Sequence, residues 1–260
     1  MSPTSVAAMD DALARAVVYR TLSLGFQAPI LERLSEIGAS DGSPIVSSAL
    51  RHLERSAGRT DLGRIATRLA AASRHETETL DATFTRLFGH TARGLICACE
   101  TEYGPDNAFH QPQQLADISG YYLAFGLRPT AASEVRVDHI ACELEFMDFL
   151  NRKQAWLLAE DDDASEDRET LEVTGRAERT FLRDHLARFG RAFATHVVAE
   201  DPDGYFGALG DTLLALLGAE CARLGVQAGP VDLVVRPETA DETPMACGSG
   251  AELIQIQRQP

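Results

Sequence analysis

The sequence predicts an all-α protein, with a single helical bundle domain of about nine to eleven helices over residues 1–225 and a C-terminal tail over residues 226–260. Three observations predict this class. Alanine and leucine dominate a chain of 260 residues that is 45% hydrophobic and only 7% aromatic. Alternating β-branched residues, which favour strands, are nearly absent before position 230. Apolar residues recur instead at three- and four-residue steps, the spacing that lines one face of a helix.

The first part of the chain contains five predicted helices, separated by glycine and serine residues that break helices. The first of them begins at a cap formed by Thr4 or Ser5. After the fifth comes an irregular or weakly helical passage, residues 91–102, which contains Cys97 and Cys99. The five helices are expected at residues 5–26, 29–37, 44–55, 61–73 and 76–88.

Two further helices form the centre of the pattern. Pro112 suits the first turn of the earlier helix, because the N–H that proline lacks would have no partner there. Gly126 is a natural C-terminal stop for the same helix. The two helices are expected at residues 112–125 and 138–158, and the loop 126–137 between them leads into the second helix at Asp138 and His139.

The rest of the chain begins with an acidic run. Seven of the ten residues from 160 to 169 are acidic, and no core could accept that charge, so we expect a solvated linker between the halves of the bundle. Helical periods follow at residues 171–198 and 205–224. Beyond residue 225, a short β-like run, many turn formers and an alternating stretch predict an extended or partly disordered tail.

A polar pair lies on the predicted helix 138–158. His139 and Glu143 are four residues apart, so their side chains are neighbours on the helix surface, on the same face as apolar residues such as Leu144. A carboxylate there loses hydration and needs a cation or several donors, and His139 is the nearest candidate, while Asp138 can cap the helix start. Two interpretations stay open: a functional site, or a capped helix with a satisfied histidine at the edge of the core.

Three segments of the central region are distinctive: E-Y-G at 102–104, G-Y-Y-L-A-F-G-L at 120–127 and D-H-I-A-C-E-L-E-F-M-D-F-L at 138–150. They resemble the TorD/DmsD/NarJ family of redox-enzyme maturation chaperones, most strongly over residues 87–158. The resemblance implies an all-α, cytoplasmic, non-enzymatic protein, and no cofactor of its own is expected. Such a chaperone binds the precursor of a molybdoenzyme catalytic subunit, often through its twin-arginine signal peptide, until the molybdenum cofactor is in place.

The resemblance also implies a binding site. The aspartate–histidine pair of the family carries over to Asp138 and His139, and its glutamate–aromatic pair carries over to Glu102 and Tyr103. Members commonly have a proline immediately or one residue before the aspartate, where this chain has Arg136 and then valine, which predicts a less rigid loop. The predicted peptide-binding residues are Glu102, Tyr103, Tyr121, Tyr122, Asp138, His139, Glu143 and Phe146.

The expected partners are the apo catalytic subunit of a molybdoenzyme and its signal peptide. The net charge is 24 minus 39, or −15, which suits a basic partner and is unsuited to nonspecific nucleic-acid binding. The C-A-C-E-T-E-Y-G passage at 97–104 and the length of the tail are similar to chaperones of periplasmic dimethylsulfide, ethylbenzene or selenate oxidoreductases. Monomer and homodimer both stay open.

The sequence favours a cytoplasmic location. Five cysteines, an odd number without disulfide-like spacing, fit a reducing compartment. The N-terminus lacks the basic and then apolar pattern of a secretory signal. No window holds the roughly eighteen uncharged apolar residues that a membrane span requires.

Two other functions are compatible with parts of the pattern. A metal-dependent hydrolase could use Asp138, His139 and Glu143, but the H-E-x-x-H arrangement of helical zinc hydrolases is absent, and the C-x-C pair of Cys97 and Cys99 lacks a second ligand pair. We therefore expect no bound metal. The other alternative is a helical interaction protein of an unrelated pathway, which the periodicity alone would fit equally well.

Overall fold

The computed structural model describes residues 3–36, 44–57, 62–72, 77–89, 94–104, 110–128, 135–160 and 165–236. Within these ranges the regular secondary-structure elements are helices, which confirms the all-α prediction. They are α1 (Pro3–Gly25), α2 (Leu31–Glu36), α3 (Pro44–Ala57), α4 (Leu62–Ala72), α5 (Thr77–Phe88), α6 (His110–Ala124), α7 (Ile140–Ala159), α8 (Ser165–Phe181), α9 (Ala187–Glu200) and α10 (Tyr205–Leu224), with a 3₁₀ turn at Glu100–Glu102. A π-helical turn, Leu182–Leu186, joins α8 to α9 without a break, so these ranges hold nine separate helices.

Helices α1 and α7 form the central pair of the bundle. Helix α1 packs along α7 and also contacts α3, while α10 packs against α9 and α4. The facing side chains are fully buried, among them Leu22 in α1, Met147 in α7 and Leu213 in α10. Because burial of one such side chain contributes about 2 kcal/mol, this shared apolar core holds the helices together.

Two groups of aromatic rings stabilise the core. One group joins α1 to α5, α9 and α10, and its shortest ring contact is between Phe26 and Phe193, with centroids 5.0 Å apart. The other joins α6 to α7 and α8, and its shortest contact is 4.7 Å, between Phe146 and Phe181. The second group fixes α6 over the start of α7, where the predicted site residues lie.

The boundaries of the two central helices follow local signals. Helix α6 ends at Ala124, and Gly126 then adopts a left-handed φ of 74°, a conformation that glycine accepts without strain, so the predicted stop is confirmed. Helix α7 begins at Ile140, two residues later than expected, because Asp138 is engaged by the preceding segment.

The acidic run is only partly a linker. Helix α8 begins at Ser165, and Glu166 and Asp167 lie in its first turn, where negative side chains interact favourably with the helix dipole. Residues 165–169 are therefore helical and not a linker, although most of them are exposed to solvent as predicted. Residues 161–164 lie outside the described ranges.

The first part of the predicted tail is extended, as expected. Residues 226–236 leave α10 and cross α9, where the Gly229 N–H donates to Ala187 O at 2.9 Å. A short antiparallel pairing then connects them to the 3₁₀ turn: the N–H of Gly104 donates to Val234 O at 3.0 Å, and the N–H of Arg236 to Glu102 O at 2.8 Å. Residues 237–260, the part predicted to be partly disordered, lie outside the described ranges.

Candidate functional site

A short main-chain pairing builds the site. Residues Cys99 and His139 face each other in an isolated antiparallel bridge. On either side of it, the Glu100 N–H donates to Asp138 O at 2.9 Å and the Ile140 N–H donates to Ala98 O at 2.8 Å. The entry to α7 is therefore fixed against the segment that leads to Glu102, although about forty residues separate the two in sequence.

The carboxylate of Asp138 is fully buried at the centre of a hydrogen-bond network. Its Oδ2 accepts from the Thr101 main-chain N–H at 3.1 Å and from the Thr101 hydroxyl at 2.8 Å. The Arg136 guanidinium donates to both carboxylate oxygens, Nε to Oδ1 and Nη2 to Oδ2, each at 3.0 Å. The expectation that Asp138 caps α7 is therefore wrong, because its oxygens are directed at Thr101 and Arg136.

Arg136 extends this network to the surface. Its Nη1 donates to Glu102 Oε1 at 2.9 Å and its Nη2 to the Thr101 hydroxyl at 2.6 Å, while Gln111 of α6 donates to Glu102 at 3.3 Å. Burial lowers the pKa of Arg136, but the charges of Asp138, Cys99 and Glu102 together raise it above its ordinary value. This loop is thus held by an ionic network. The only hint in the sequence is an arginine two positions before the aspartate.

His139 caps α7. Its Nδ1 accepts a hydrogen bond from the Ala141 N–H at 3.1 Å, which satisfies one of the free donors at the helix start. Burial lowers its pKa to about 4, although the Asp138 charge opposes this, so the imidazole is neutral at pH 7. A neutral ring is required here, because the capping nitrogen must keep its lone pair.

Glu143 is fully buried, and the groups that act on its carboxyl most strongly are the acids Glu100 and Asp138. Neither carboxyl oxygen of Glu143 has a hydrogen bond among the described residues. Burial, and then the charges of Glu100 and Asp138, raise its pKa well above the ordinary value. The prediction that His139 supplies the cation for Glu143 is therefore wrong: Glu143 is enclosed, and its environment favours the protonated form.

The π-helical turn brings a histidine to the same cluster. Buried His185 places Nδ1 3.0 Å from Glu100 Oε2 and Nε2 3.2 Å from Asp117 Oδ2 on α6. Turns of this kind occur frequently at functional sites, because the extra residue changes the direction of a side chain. The side chain of His185 lies inside the core, only 2% exposed.

The predicted aromatic residues are mostly packed in the interior. The Tyr122 hydroxyl donates to Val137 O at 2.9 Å, and the Tyr122 ring lies 5.1 Å from that of Phe146. These two aromatic side chains therefore support the segment that leads into α7 from its buried side. Tyr103 is directed away from them: its hydroxyl donates to Cys97 O and its ring packs on Phe189 of α9.

The solvent-accessible part of the site is correspondingly small. The partly exposed members of the predicted set are Glu102, Tyr121 and His139, and Arg136 joins them as a residue that the sequence did not assign. The ring of Tyr121 lies 5.2 Å from Phe181 and 5.6 Å from His185, which fixes its position on α6. The accessible members are thus an ion pair, Arg136–Glu102, together with the partly exposed rings of Tyr121 and His139.

The described ranges contain neither a candidate metal site nor a candidate membrane-spanning helix. No group of three or more histidine, cysteine, aspartate or glutamate side chains there is arranged to hold a metal ion, so the hydrolase alternative has no candidate centre. Cys97 and Cys99 carry free thiols, and the pKa of Cys99 is raised by a hydrogen bond to Cys97 and by burial. No helix in the described part of the chain is long and apolar enough to cross a membrane.

Comparison with known proteins defines the class. A family model described as nitrate reductase delta subunit matches residues 53–195, more than half of the chain, and the chain belongs to this family. The predicted membership in the TorD/DmsD/NarJ group of molybdoenzyme maturation chaperones is confirmed, and with it the non-enzymatic class.

One curated relative is similar over most of its length. The perchlorate reductase assembly chaperone protein of Dechloromonas aromatica (strain RCB) is 30% identical over 207 residues, which cover 78% of this chain and 86% of the relative. No solved structure gives a significant match.

Proposed function

We propose that this protein binds the precursor of a molybdenum-cofactor oxidoreductase catalytic subunit in the cytoplasm, including its twin-arginine signal peptide, and assists cofactor insertion before export. The match that extends over residues 53–195, together with similarity to a relative named as an assembly chaperone, carries this proposal. The client is expected among oxidoreductases comparable to perchlorate reductase, the enzyme in the name of that relative, or to the dimethylsulfide, ethylbenzene and selenate enzymes.

The accessible patch supports recognition of a basic and apolar segment. Glu102 and the Arg136–Asp138 network supply hydrogen-bonding groups for arginine. Tyr121, further along α6, supplies a partly exposed aromatic ring for an apolar side chain. The net charge of −15 would increase the rate of encounter with a basic leader. We assign direct contact to Glu102, Tyr121 and His139, and contact to Asp138 where Arg136 gives access to it. Buried Tyr103, Tyr122, Glu143 and Phe146 have a supporting role.

Co-expression with a candidate precursor tests this proposal. An affinity-tagged chain should retain the full-length precursor in a complex detectable by native mass spectrometry, and replacement of the two leader arginines by lysine should weaken binding about tenfold or more, because lysine cannot form the paired hydrogen bonds. Equal binding of a leaderless subunit would remove the signal peptide from the proposal. Failure to retain any candidate precursor would remove the chaperone assignment to this client class.

A matched pair of aromatic variants locates the surface. Tyr121→Ala should weaken the complex about tenfold, since it removes a large contact from the proposed patch. Trp156→Ala, which alters an exposed aromatic side chain at the far end of α7, should leave affinity unchanged. Circular dichroism should show both variants folded, and equal loss of affinity in both would contradict the location.

A further inference from the structure

A guanidinium group fills a site that is built almost entirely by other residues. Arg136 presents its fork to both oxygens of Asp138 at 3.0 Å, to the Thr101 hydroxyl at 2.6 Å and to Glu102 Oε1 at 2.9 Å. This set of acceptors matches the planar geometry of guanidinium and would fit an ammonium group poorly.

The acceptors keep their places without Arg136. Besides Arg136, the N–H and the hydroxyl of Thr101 donate to the carboxylate of Asp138. The main-chain oxygen of Asp138 accepts a further hydrogen bond from the Glu100 N–H at 2.9 Å. Gln111 of α6 donates to the Thr101 hydroxyl at 3.2 Å and to Glu102 Oε1 at 3.3 Å. Removal of the arginine side chain would therefore leave a preformed site.

The same site can be reached from solvent. The side chain of Arg136 is 43% exposed and that of Glu102 is 24% exposed, whereas Asp138 beneath them is fully buried. An exchange at this site requires the partly exposed arginine to rotate outward about its side-chain bonds. A buried carboxylate left without a cation is strongly unfavourable, so a second guanidinium must take its place when Arg136 leaves.

We propose that Thr101, Glu102 and Asp138 form a guanidinium-binding site in which Arg136 is an internal placeholder, exchanged for an arginine of the client during binding. This inference rests on the proposed function and names the contact that the client arginine makes. The exchange conserves charge and hydrogen bonds, so it is nearly balanced in free energy. A tethered arginine competes at an effective concentration of about millimolar, so a free arginine displaces it poorly, whereas a segment with added apolar contacts displaces it well.

Emptying the site tests this inference directly. Arg136→Ala should bind the dipeptide acetyl-Arg-Arg-amide about tenfold or more tightly than the wild type in calorimetry, because the internal competitor is gone. Acetyl-Lys-Lys-amide should show no such gain. Millimolar guanidinium chloride should raise the melting temperature of Arg136→Ala above that in sodium chloride of equal ionic strength, with no effect on the wild type.

Two controls make the result specific. Arg152→Ala removes an exposed arginine of α7 that pairs with buried Asp148 at 2.6 Å, and it should bind the dipeptide as the wild type does. The double variant Arg136→Ala, Asp138→Asn should lose the gain. Should Arg136→Ala fail to fold, Arg136→Lys provides a second measurement, with an intermediate gain expected because lysine fills the site less well.

The opposite outcome identifies Arg136 as a plain loop clamp. In that case Arg136→Ala is folded but binds the dipeptide no better than the wild type, and guanidinium has no effect on its melting temperature, which overturns the inference. Precursor binding to the wild type is measured separately. If the wild type binds the precursor but Arg136→Ala shows no gain in dipeptide affinity, only the placeholder role of Arg136 is overturned. If Arg136→Ala shows the gain but the wild type binds no precursor, the guanidinium site stands and the proposed function is overturned.

Discussion

The two ends of α7 carry buried polar side chains in opposite electrostatic environments. Near the C-terminal end, Asn151 donates to fully buried Glu178 of α8 at 3.1 Å and accepts from Arg15 of α1 at 2.8 Å. Arg223 of α10 completes this cluster with hydrogen bonds to Glu178, at 2.6 Å, and to Glu220. Each acid in this cluster has an arginine partner.

Near the N-terminal end, Glu143 has no such partner. Its neighbours are Glu100 and Asp138, and the guanidinium of Arg136 is engaged by Asp138 and Glu102. The carboxyl of Glu143 is therefore driven toward its neutral form, whereas each acid of the other cluster is hydrogen-bonded to a guanidinium. The comparison teaches that burial alone does not decide the charge of an acid: the availability of a cation does.

The largest effect is expected from removal of the cation that the paired cluster shares. Arg223→Met should lower the free energy of unfolding by about 3 kcal/mol, because Glu178 and Glu220 would remain buried without a counter-charge. Guanidinium chloride unfolding followed by circular dichroism measures this change. Arg183→Met, which removes an exposed pair with Asp184, is the control and should change stability by less than about 0.5 kcal/mol.

Neutralising one acid of the paired cluster should have a smaller effect of the same sign. Glu178→Gln should destabilise the protein by about 2 kcal/mol in the same measurement, since Arg223 and Asn151 lose a charged acceptor. An unchanged or increased stability would show that this cluster, like Glu143, does not depend on ionisation.

The histidine cap should produce a pH dependence. The pKa of His139 is lowered to about 4 by burial, against about 6.5 in the unfolded chain, so its contribution to stability is present above pH 6.5 and is lost as the pH falls toward 4. His139→Asn keeps a capping oxygen but does not titrate. Relative to this variant, the wild type should lose about 1.5 kcal/mol between pH 7 and pH 5. If the free energies of unfolding of the wild type and of His139→Asn change in parallel with pH, His139 does not act as a neutral cap.

The smallest effect, with the opposite sign, is expected at Glu143. Glu143→Gln should stabilise the protein by about 1 kcal/mol at pH 7. In the wild type the carboxyl of residue 143 ionises freely only when the chain is unfolded, which favours the unfolded state, whereas glutamine does not ionise in either state. A raised folded pKa means that the contribution of the acid is present below the unfolded value of about 4.3 and is lost as the pH rises. The advantage of the variant should therefore disappear near pH 4. Destabilisation at pH 7 would show that Glu143 is ionised.

The local features of the site could be predicted from the sequence, but its partners could not. The stop at Gly126, the α6 and α7 segments and the position of Asp138 at the loop-to-helix junction all follow from short-range patterns. The His139–Glu143 pairing failed because helix spacing places side chains near each other without accounting for closer groups from elsewhere. Glu100, which comes from a segment about forty residues away, is the closer neighbour of Glu143.

By itself the sequence determined the helical class, the approximate bounds of most helices and the family, because periodicity, capping residues and motifs are local properties of the chain. The tertiary structure decided which buried acids have a cation, which residue caps α7 and which aromatic side chains stay accessible. These depend on contacts between distant segments: Asp138 meets Thr101 across 37 positions, and His185 meets Glu100 across 85. In a low-dielectric interior such contacts dominate charge state, so only the folded arrangement fixes them.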